Sequence, residues 1–418
     1  AATSSRTAPL TRSPLESPLL GIMGIKGLMP FISDHAPLAI KETEMKSLTG
    51  RTIAIDASMS LYQFIVAVRQ GDSQTNLTND AGEVTSHIQG FLGRTVKMME
   101  LGIKPVYVFD GKPPGLKSGE LAAREQKKQQ AEVELAAALE SGDAEEIRKA
   151  SHRSVRVTHQ MNADVQELLR LLGCPVVRAP CEAEASCAAL CMAGKVYATA
   201  TEDMDALTFG SPVMLKNLFD TESSRTQTKR PVFELHHAPL LEQLDVSRET
   251  FVDFCILCGC DYTGTIRGVG PISAFKLLMQ HGSIEAVAAT LDSSKLPPAE
   301  SWQVGAARAL FLQPEVVDAA GVELRWGAPD VPGLRAFLVQ RHSFNEARVA
   351  KVIERLNKCS ASGKQTRLES FFVSKGPRPV AAASKFDPFA KKASNSSTAK
   401  GGKRPAAAGG GSKAKKKK

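Results

Sequence analysis

No uninterrupted apolar run in this 418-residue chain approaches the roughly 18 residues that a membrane span requires, so no membrane partner is expected. Zinc-finger spacing is missing too. "CILCGC" (255–260) contains a CxxC, but no second Cys or His pair follows it. Two readings of that segment stand, a zinc site or core thiols. The eight cysteines are Cys174, Cys181, Cys187, Cys191, Cys255, Cys258, Cys260 and Cys359. Most sit among Leu, Ala and Ile, as buried reduced thiols do, which implies a reducing, intracellular compartment. Aromatic residues are absent from 115–157, a stretch of Lys, Arg, Glu, Gln and Ala that favours helix but cannot build a core alone. It reads as one or two exposed helices inserted between strands. Lys117, Arg124 and Lys128 fall at i, i+7 and i+11, so either one helical face is basic or the charges are incidental to a solvated surface.

Charge is unevenly spread. From Val373 to Lys418 thirteen Lys and Arg stand against Asp387 alone, a tail of +12 on a body of −3. A basic tail on a mildly acidic body points to a polyanion partner or an import signal. Ala, Gly, Ser, Pro and Lys dominate this tail, and no fixed structure is expected in it. Residues 1–22, rich in Ser, Thr, Pro and Leu, read either as a weak organelle transit peptide or as a bland leader or upstream extension. Met23 opens a more structured pattern, and translation is expected to start there or the leader to be removed.

Three short apolar runs end in acids. "RTIAIDAS" (51–58) reads as a buried strand ending at Asp56, and "KPVYVFDGKPP" (104–114) as another ending at Asp110. "YATATEDMDALTFG" (197–210) ends its apolar run in Glu202, Asp203 and Asp205. Helical periodicity lies between them, in 86–102 and 163–173. Alternating strands and helices imply an α/β fold, a mostly parallel sheet with helices on both faces and the ligand site beyond the carboxyl ends of the strands. The acids then share one rim. "CEAEASCAAL" (181–190) brings Glu182 and Glu184 to the mouth of an apolar helix, and "GCDY" adds Asp261. A buried carboxylate is costly unless paired, hydrogen-bonded or bound to a cation. Asp56, Asp110, Glu182, Glu184, Asp203, Asp205 and Asp261 are hard oxygen donors without His or Cys, which suits Mg²⁺ or Mn²⁺. Two such ions roughly 3.5–4 Å apart would activate water for phosphoryl displacement. For any one of these acids the bland alternative is a helix cap or a surface salt bridge. Lys117 and Arg124, shortly after Asp110, are placed to neutralise transition-state charge, and Arg69 and Arg94 to hold backbone phosphates. "GVGP" (268–271) lies in a helix–turn–helix reading of 252–287 and is either a phosphate-binding hinge or a steric one.

Together "MGIKGL", "IDASMSLYQF", "VYVFDGKPPGLKSGELAAR", "EAEASCAAL", "ATEDMDALTFGSP" and "DYTGTIRGVGP" resemble the structure-specific 5′ nucleases, most closely the eukaryotic flap endonucleases, from about Met23 to Phe372. The resemblance implies a nuclease core with a helical arch, a helix–two-turn–helix and a C-terminal basic tail. It implies that the seven acids bind two Mg²⁺, with Mn²⁺ able to substitute, and that Lys117 and Arg124 are the catalytic basic pair under the arch. It assigns DNA contacts to Tyr62, Arg69, Arg94, Lys127, Lys128, Glu182, Gly259 and Asp261, sets Gly24 near the active site, and gives the hinge glycines Gly268 and Gly270 a grip on duplex aided by K⁺. "QTRLESFF" matches a sliding-clamp-binding box whose anchors are Gln365, Leu368, Phe371 and Phe372, for a PCNA-type trimer. The implied activity is cleavage one nucleotide inside the duplex at a 5′ flap, with 5′–3′ exonuclease activity, in lagging-strand maturation and long-patch base excision repair. A monomeric enzyme of the nucleoplasm and nucleolus is implied, with a minor mitochondrial or other organelle pool allowed by the leader. "KGGKRP" and "KAKKKK" read as import and DNA-attraction signals.

The expected domains are the leader (1–22), an N-terminal nuclease region (23–128) and the arch (115–157). An internal nuclease region (146–281), a C-terminal helical part (282–360), the clamp box (365–372) and the tail (373–418) complete the chain. Lys127 stands where relatives often carry Arg and loses the planar fork. Ile272-Ser273 stand where relatives often carry basic residues, which predicts a weaker duplex grip. Ser211-Pro212 is either a proline-directed phosphorylation site or a turn. Alternative functions are a 5′ exonuclease or junction resolvase of the same superfamily, an RNase with a related site, and a catalytically silent clamp-binding scaffold.

Overall fold

The computed structural model describes residues 24–68, 85–153, 156–218 and 231–361. The 1–22 leader, Arg69, the 365–372 box and the basic tail lie outside the described residues.

Seven strands form one sheet: β1 (Ile40–Thr43), β2 (Thr52–Asp56), β3 (Lys104–Phe109), β4 (Val176–Arg178), β5 (Ala198–Ala200), β6 (Val213–Lys216) and β7 (Val232–His236). Their order is β1-β7-β6-β5-β2-β3-β4. The five strands from β6 to β4 are parallel, while β7 and β1 add in antiparallel fashion at one edge. The sheet is thus mostly parallel, as expected, with an antiparallel border the sequence pattern did not announce.

Side-chain alternation explains how both faces are covered. Ile53, Ile55, Tyr107 and Phe109 face a cluster built with Leu61, Phe91 and Leu168 from the helices Ala57–Val68, Ser86–Glu100 and His159–Leu171. Ala54, Val106 and Val108 face the other way, against Ala183, Cys187 and Leu190 of the helix Ala183–Met192. Small Ala54 at the centre lets that helix approach closely. A third cluster joins the helices Leu28–His35, Arg248–Cys258 and Pro271–His281 through Phe31, Phe254 and Phe275, whose ring centroids lie 4.7–5.3 Å apart.

Chain order runs outward from β2 to β3 and β4, then returns to the opposite flank of β2 with β5 and β6. That reversal, between β2 and β5, is the place where a parallel sheet opens a crevice beyond its carboxyl ends. Asp56 closes β2 and Asp203 follows β5 across it.

The aromatic-free segment forms the helices Ser118–Ser141 and Ala144–Arg153. Ala131 and Ala138 are the buried positions of the longer one, which fits an insertion packed on itself rather than on the core. The C-terminal part is less helical than expected. Residues 313–330 run as a strap along β3 and β4, pinned by Trp326 Nε1 to Pro105 O (2.9 Å), Gly327 N to Gly173 O (2.9 Å) and Asp330 N to Leu171 O (2.8 Å). Its Val322, Leu324 and Trp326 complete the second cluster, which the helix Ala183–Met192 alone leaves open. Among the described residues no helix is long and apolar enough to cross a membrane.

Candidate active site

Asp56 is buried at the end of β2. Its Oδ1 accepts from Met59 N at 2.9 Å, capping the helix that follows, and its Oδ2 accepts from Thr201 Oγ1 at 3.0 Å. Thr201 Oγ1 in turn accepts from Asp203 N at 3.1 Å, and Asp203 Oδ1 accepts from Asp205 N at 2.9 Å. One hydroxyl therefore ties the rim of β2 to the rim of β5. Asp110 follows β3, with its N–H donated to Ser58 Oγ at 3.2 Å and its Oδ1 accepting from Ala183 N at 2.8 Å. That second bond satisfies an orphan donor at a helix start and draws Glu182 and Glu184 to the same rim.

The carboxylates converge in two overlapping groups. Oxygens of Asp110, Glu182 and Glu184 lie within 4.8 Å of one another, and so do oxygens of Glu184, Asp203 and Asp205. Glu184 belongs to both. Burial, with the nearby Asp110 charge added, pushes Asp56 up to about 8. Burial and like charges hold Glu184 and Asp205 well above the usual carboxylate range, and burial raises Asp203 and Glu182. Crowded acids of this kind would lose their protons to solvent on binding a divalent cation. The donor set fits a hard ion, being all oxygen. Asp205 Oδ1, buried without a hydrogen-bond partner, is an acceptor still to be used.

Two cations descend from the inserted helices. Lys117 Nζ lies 2.8 Å from Glu182 Oε2 and 3.7 Å from Asp261 Oδ2, and Arg124 Nη2 lies 2.6 Å from Asp261 Oδ2. Burial opposes the charge on Lys117, but Glu184, Glu182 and Asp261 outweigh it and hold its pKa above the usual lysine value. The same contest raises Arg124, where burial yields to Asp261 and Glu120. Both side chains thus stay charged against the acids.

The remaining sequence candidates spread around this centre. Gly24 has φ +72°, and a Cβ there would stand 2.0 Å from Asp203 Oδ1, so only glycine lets the chain pass this close. Gly259, at φ +107°, ends the helix Arg248–Cys258 two residues before Asp261. Tyr62 is half-buried on the helix leaving Asp56. Lys127 is exposed and Lys128 half-buried on the long inserted helix. Arg94 stacks its guanidinium 3.7 Å from the centre of the Phe64 ring, a contact its sequence position did not suggest. Gly268 has φ +79°, and Gly270 begins the helix Pro271–His281 with its N–H donated to Ser273 Oγ at 3.0 Å.

Three further positions are placed by the structure. Glu202 does not join Asp203 and Asp205: its Oε1 accepts from Asn217 N at 2.6 Å and its Oε2 lies 3.3 Å from Lys216 Nζ, behind the rim. Ser211 is fully buried, with its Oγ 2.9 Å from Thr199 Oγ1 and 3.1 Å from Val213 O, so phosphorylation there requires the turn to open first. The cysteines of 255–260 do not meet around a common point among the described residues, and burial raises all three thiols. Thr201 and Ser58, which hold the acids, were not singled out from sequence. Each lies two residues from a rim Asp, and that proximity was the available signal.

The sequence matches the family profiles of the XPG N-terminal domain over residues 23–131 and of the XPG I-region over residues 173–261. It is 51% identical over 364 residues to flap endonuclease 1 of Ostreococcus lucimarinus (strain CCE9901), spanning 87% of this chain and 91% of that protein. Flap endonuclease-1 from Methanococcus jannaschii has a similar structure, with a TM-score of 0.60 at 30% identity, covering 78% of this chain and 98% of that one. The catalytic core of Rad2 in complex with DNA substrate follows at a TM-score of 0.59 and 26% identity, again covering 78% and 98%. Half the residues of a nearly full-length relative are retained, and the chain belongs to the flap endonuclease family.

Proposed function

We propose that this chain is a metal-dependent, structure-specific 5′ flap endonuclease with 5′–3′ exonuclease activity. The observation that carries the reading is the pair of carboxylate groups sharing Glu184 beneath Lys117 and Arg124. Asp56, Asp110, Glu182, Glu184, Asp203, Asp205 and Asp261 are the residues to hold two Mg²⁺, with Mn²⁺ as substitute. Bound ions of this kind supply activated water and stabilise both oxygens of an in-line phosphodiester displacement. Lys117 and Arg124 exchange their carboxylate partners for the scissile phosphate when DNA enters, bringing positive charge to the oxygens where negative charge develops. Tyr62, on the helix that follows Asp56, offers a face for the adjacent base. Arg69 and Arg94 with Lys127 and Lys128 serve backbone phosphates, and Gly259, Gly268 and Gly270, with K⁺, serve the duplex.

The same reading assigns Gln365, Leu368, Phe371 and Phe372 to a PCNA-type sliding clamp. It sets the protein in the nucleus and nucleolus, at lagging-strand maturation and long-patch base excision repair, with an organelle pool dependent on the leader. Cleavage of a labelled double-flap DNA by residues 23–418 with Mg²⁺, against Asp203→Ala, tests it. One product cut a nucleotide inside the duplex, absent from the variant, is expected. A ladder from nicked or blunt 5′ ends moves the reading to an exonuclease, and binding without cleavage overturns it.

A further inference from the structure

Thr201 is a neutral residue set among the acids. It follows β5 directly and is buried. Its N–H donates to Leu215 O of β6 at 3.2 Å, so its backbone is fixed to one strand while its side chain crosses to another. There the hydroxyl donates to Asp56 Oδ2 at 3.0 Å and accepts from Asp203 N at 3.1 Å. The direction of this relay is set by its ends. An amide N–H donates and cannot accept, so the single hydroxyl proton goes to the carboxylate.

The relay completes the support of two acids at once. Asp56 Oδ1 accepts from Met59 N at 2.9 Å, so with Thr201 each oxygen of Asp56 carries one donor. A carboxylate has about four lone-pair positions, and two such bonds fix its plane while leaving capacity for an ion. The turn that carries Asp203 and Asp205 is tied from behind, where Lys216 Nζ donates to Glu202 O and Asn217 N to Glu202 Oε1, both at 2.6 Å. Thr201 ties the same turn from the front, and Asp205 N closes it onto Asp203 Oδ1 at 2.9 Å. Threonine suits the task, because its branched side chain is stiff at χ1 and holds the hydroxyl in one direction. Loss of that hydroxyl leaves two buried groups, Asp56 Oδ2 and Asp203 N, each short of a partner.

Resting on the two-ion reading above, we propose that Thr201 is a positioning residue of the site. Its hydroxyl sets the spacing between Asp56 and the turn bearing Asp203 and Asp205, so that acids from two strands meet a divalent cation as one prearranged set. Outer hydrogen bonds that hold ligating carboxylates carry about 10–100-fold in metal affinity.

The test compares two variants of the full chain. Thr201→Val keeps the branched shape and removes the hydroxyl, and Thr201→Ser keeps the hydroxyl and removes the methyl group. Mn²⁺ binding is titrated by electron paramagnetic resonance, beside the metal-free thermal midpoint and the Mg²⁺ dependence of flap cleavage. Thr201→Val is expected to bind Mn²⁺ at least about tenfold more weakly, with Thr201→Ser within about twofold of wild type. The Mg²⁺ concentration for half-maximal cleavage rises in step in the valine variant, while KM for flap DNA at saturating Mg²⁺ is unchanged. A valine variant with a lower midpoint but wild-type Mn²⁺ affinity shows a hydroxyl that only supports the fold, and overturns the inference. The serine variant decides independently if the valine variant does not fold. Wild-type affinity there supports the hydroxyl, and a loss of about tenfold assigns the effect to the methyl group and overturns the inference. Absence of Mn²⁺ binding by the wild-type chain overturns the two-ion reading itself, so the two failures are distinguishable.

Discussion

Lys117 and Glu182 form a largely buried ion pair, Nζ to Oε2 2.8 Å, that joins the foot of the inserted helices to the start of the helix Ala183–Met192. A lysine held this way is both a brake and a tool. On the proposed reading, while it lies on Glu182 it would compete with a metal ion for the same oxygen, and when a phosphate arrives it would have only a short distance to travel. Lys117→Ala is expected to slow single-turnover flap cleavage by about 10²–10³, the usual effect of removing one preorganised cation or donor. Mn²⁺ affinity should hold or tighten, because a competing charge has gone. Weakened Mn²⁺ binding in the variant would show that Lys117 supports the carboxylates instead.

Gly24 gives a second, purely steric prediction. Its φ of +72° disfavours any side chain, and a Cβ would stand 2.0 Å from Asp203 Oδ1 and 3.2 Å from Asp205 Oδ1. Gly24→Ala must move either the N-terminal segment or the carboxylates. Misplacement of about 1 Å at a reacting centre costs on the order of 100-fold. Cleavage should therefore fall at least tenfold with the far-ultraviolet circular dichroism unchanged, and full activity in the variant would show that the segment shifts freely.

Much of this site was legible because buried strands are poor places for acids. "TIAID" and "KPVYVFD" have no reason to end in Asp unless the sheet rim has a use for it, and parallel topology then brings the rims together. The antiparallel border was not legible. β1 ("IKET") is four residues long and half exposed, so it has neither the apolar run of a buried strand nor a clear alternation. The strap 313–330 also escaped, since its contacts are to distant backbone, such as Trp326 to Pro105 O, and leave no periodic trace. Glu202 stands beside these acids in sequence without being one of them. Neighbours in sequence point to different sides of a turn, and only the positions of Lys216 and Asn217 decide which acid faces the rim.

Arg156 is the clasp of the inserted pair. Its Nε reaches Glu132 Oε1 at 2.6 Å and its Nη2 reaches Glu125 Oε1 at 2.8 Å, so one side chain beyond the second helix grips two turns of the first. All three residues are exposed, and such pairs contribute little to global stability. Locally the effect differs, because the two carboxylates lie two turns apart on one helix. Arg156→Ala should leave the thermal midpoint unchanged while amide exchange across Ser118–Ser141 speeds several-fold. Equal exchange in the two proteins would show that the alanine contacts between the helices suffice.

Glu234 predicts how acid weakens the sheet. It lies on β7 directly opposite Lys41 of β1, with Lys41 Nζ at 3.3 Å, His236 Nε2 at 3.4 Å and Tyr197 Oη at 3.3 Å. The His236 ring beside it and the Lys41 ammonium, against the cost of burial, hold its carboxyl down at about 2. A carboxyl whose pKa is depressed on folding contributes stability that is complete above the unfolded value of 4.5. That contribution is lost as pH falls through 4.5 towards 2. Glu234→Gln should therefore lower the urea midpoint at pH 7, and the gap from wild type should narrow steadily below pH 4.5. The substitution keeps the shape and removes the charge, so the narrowing isolates the charge from the packing. A gap that stays constant from pH 7 to pH 3 would show that β1 and β7 are joined by their backbone ladder alone.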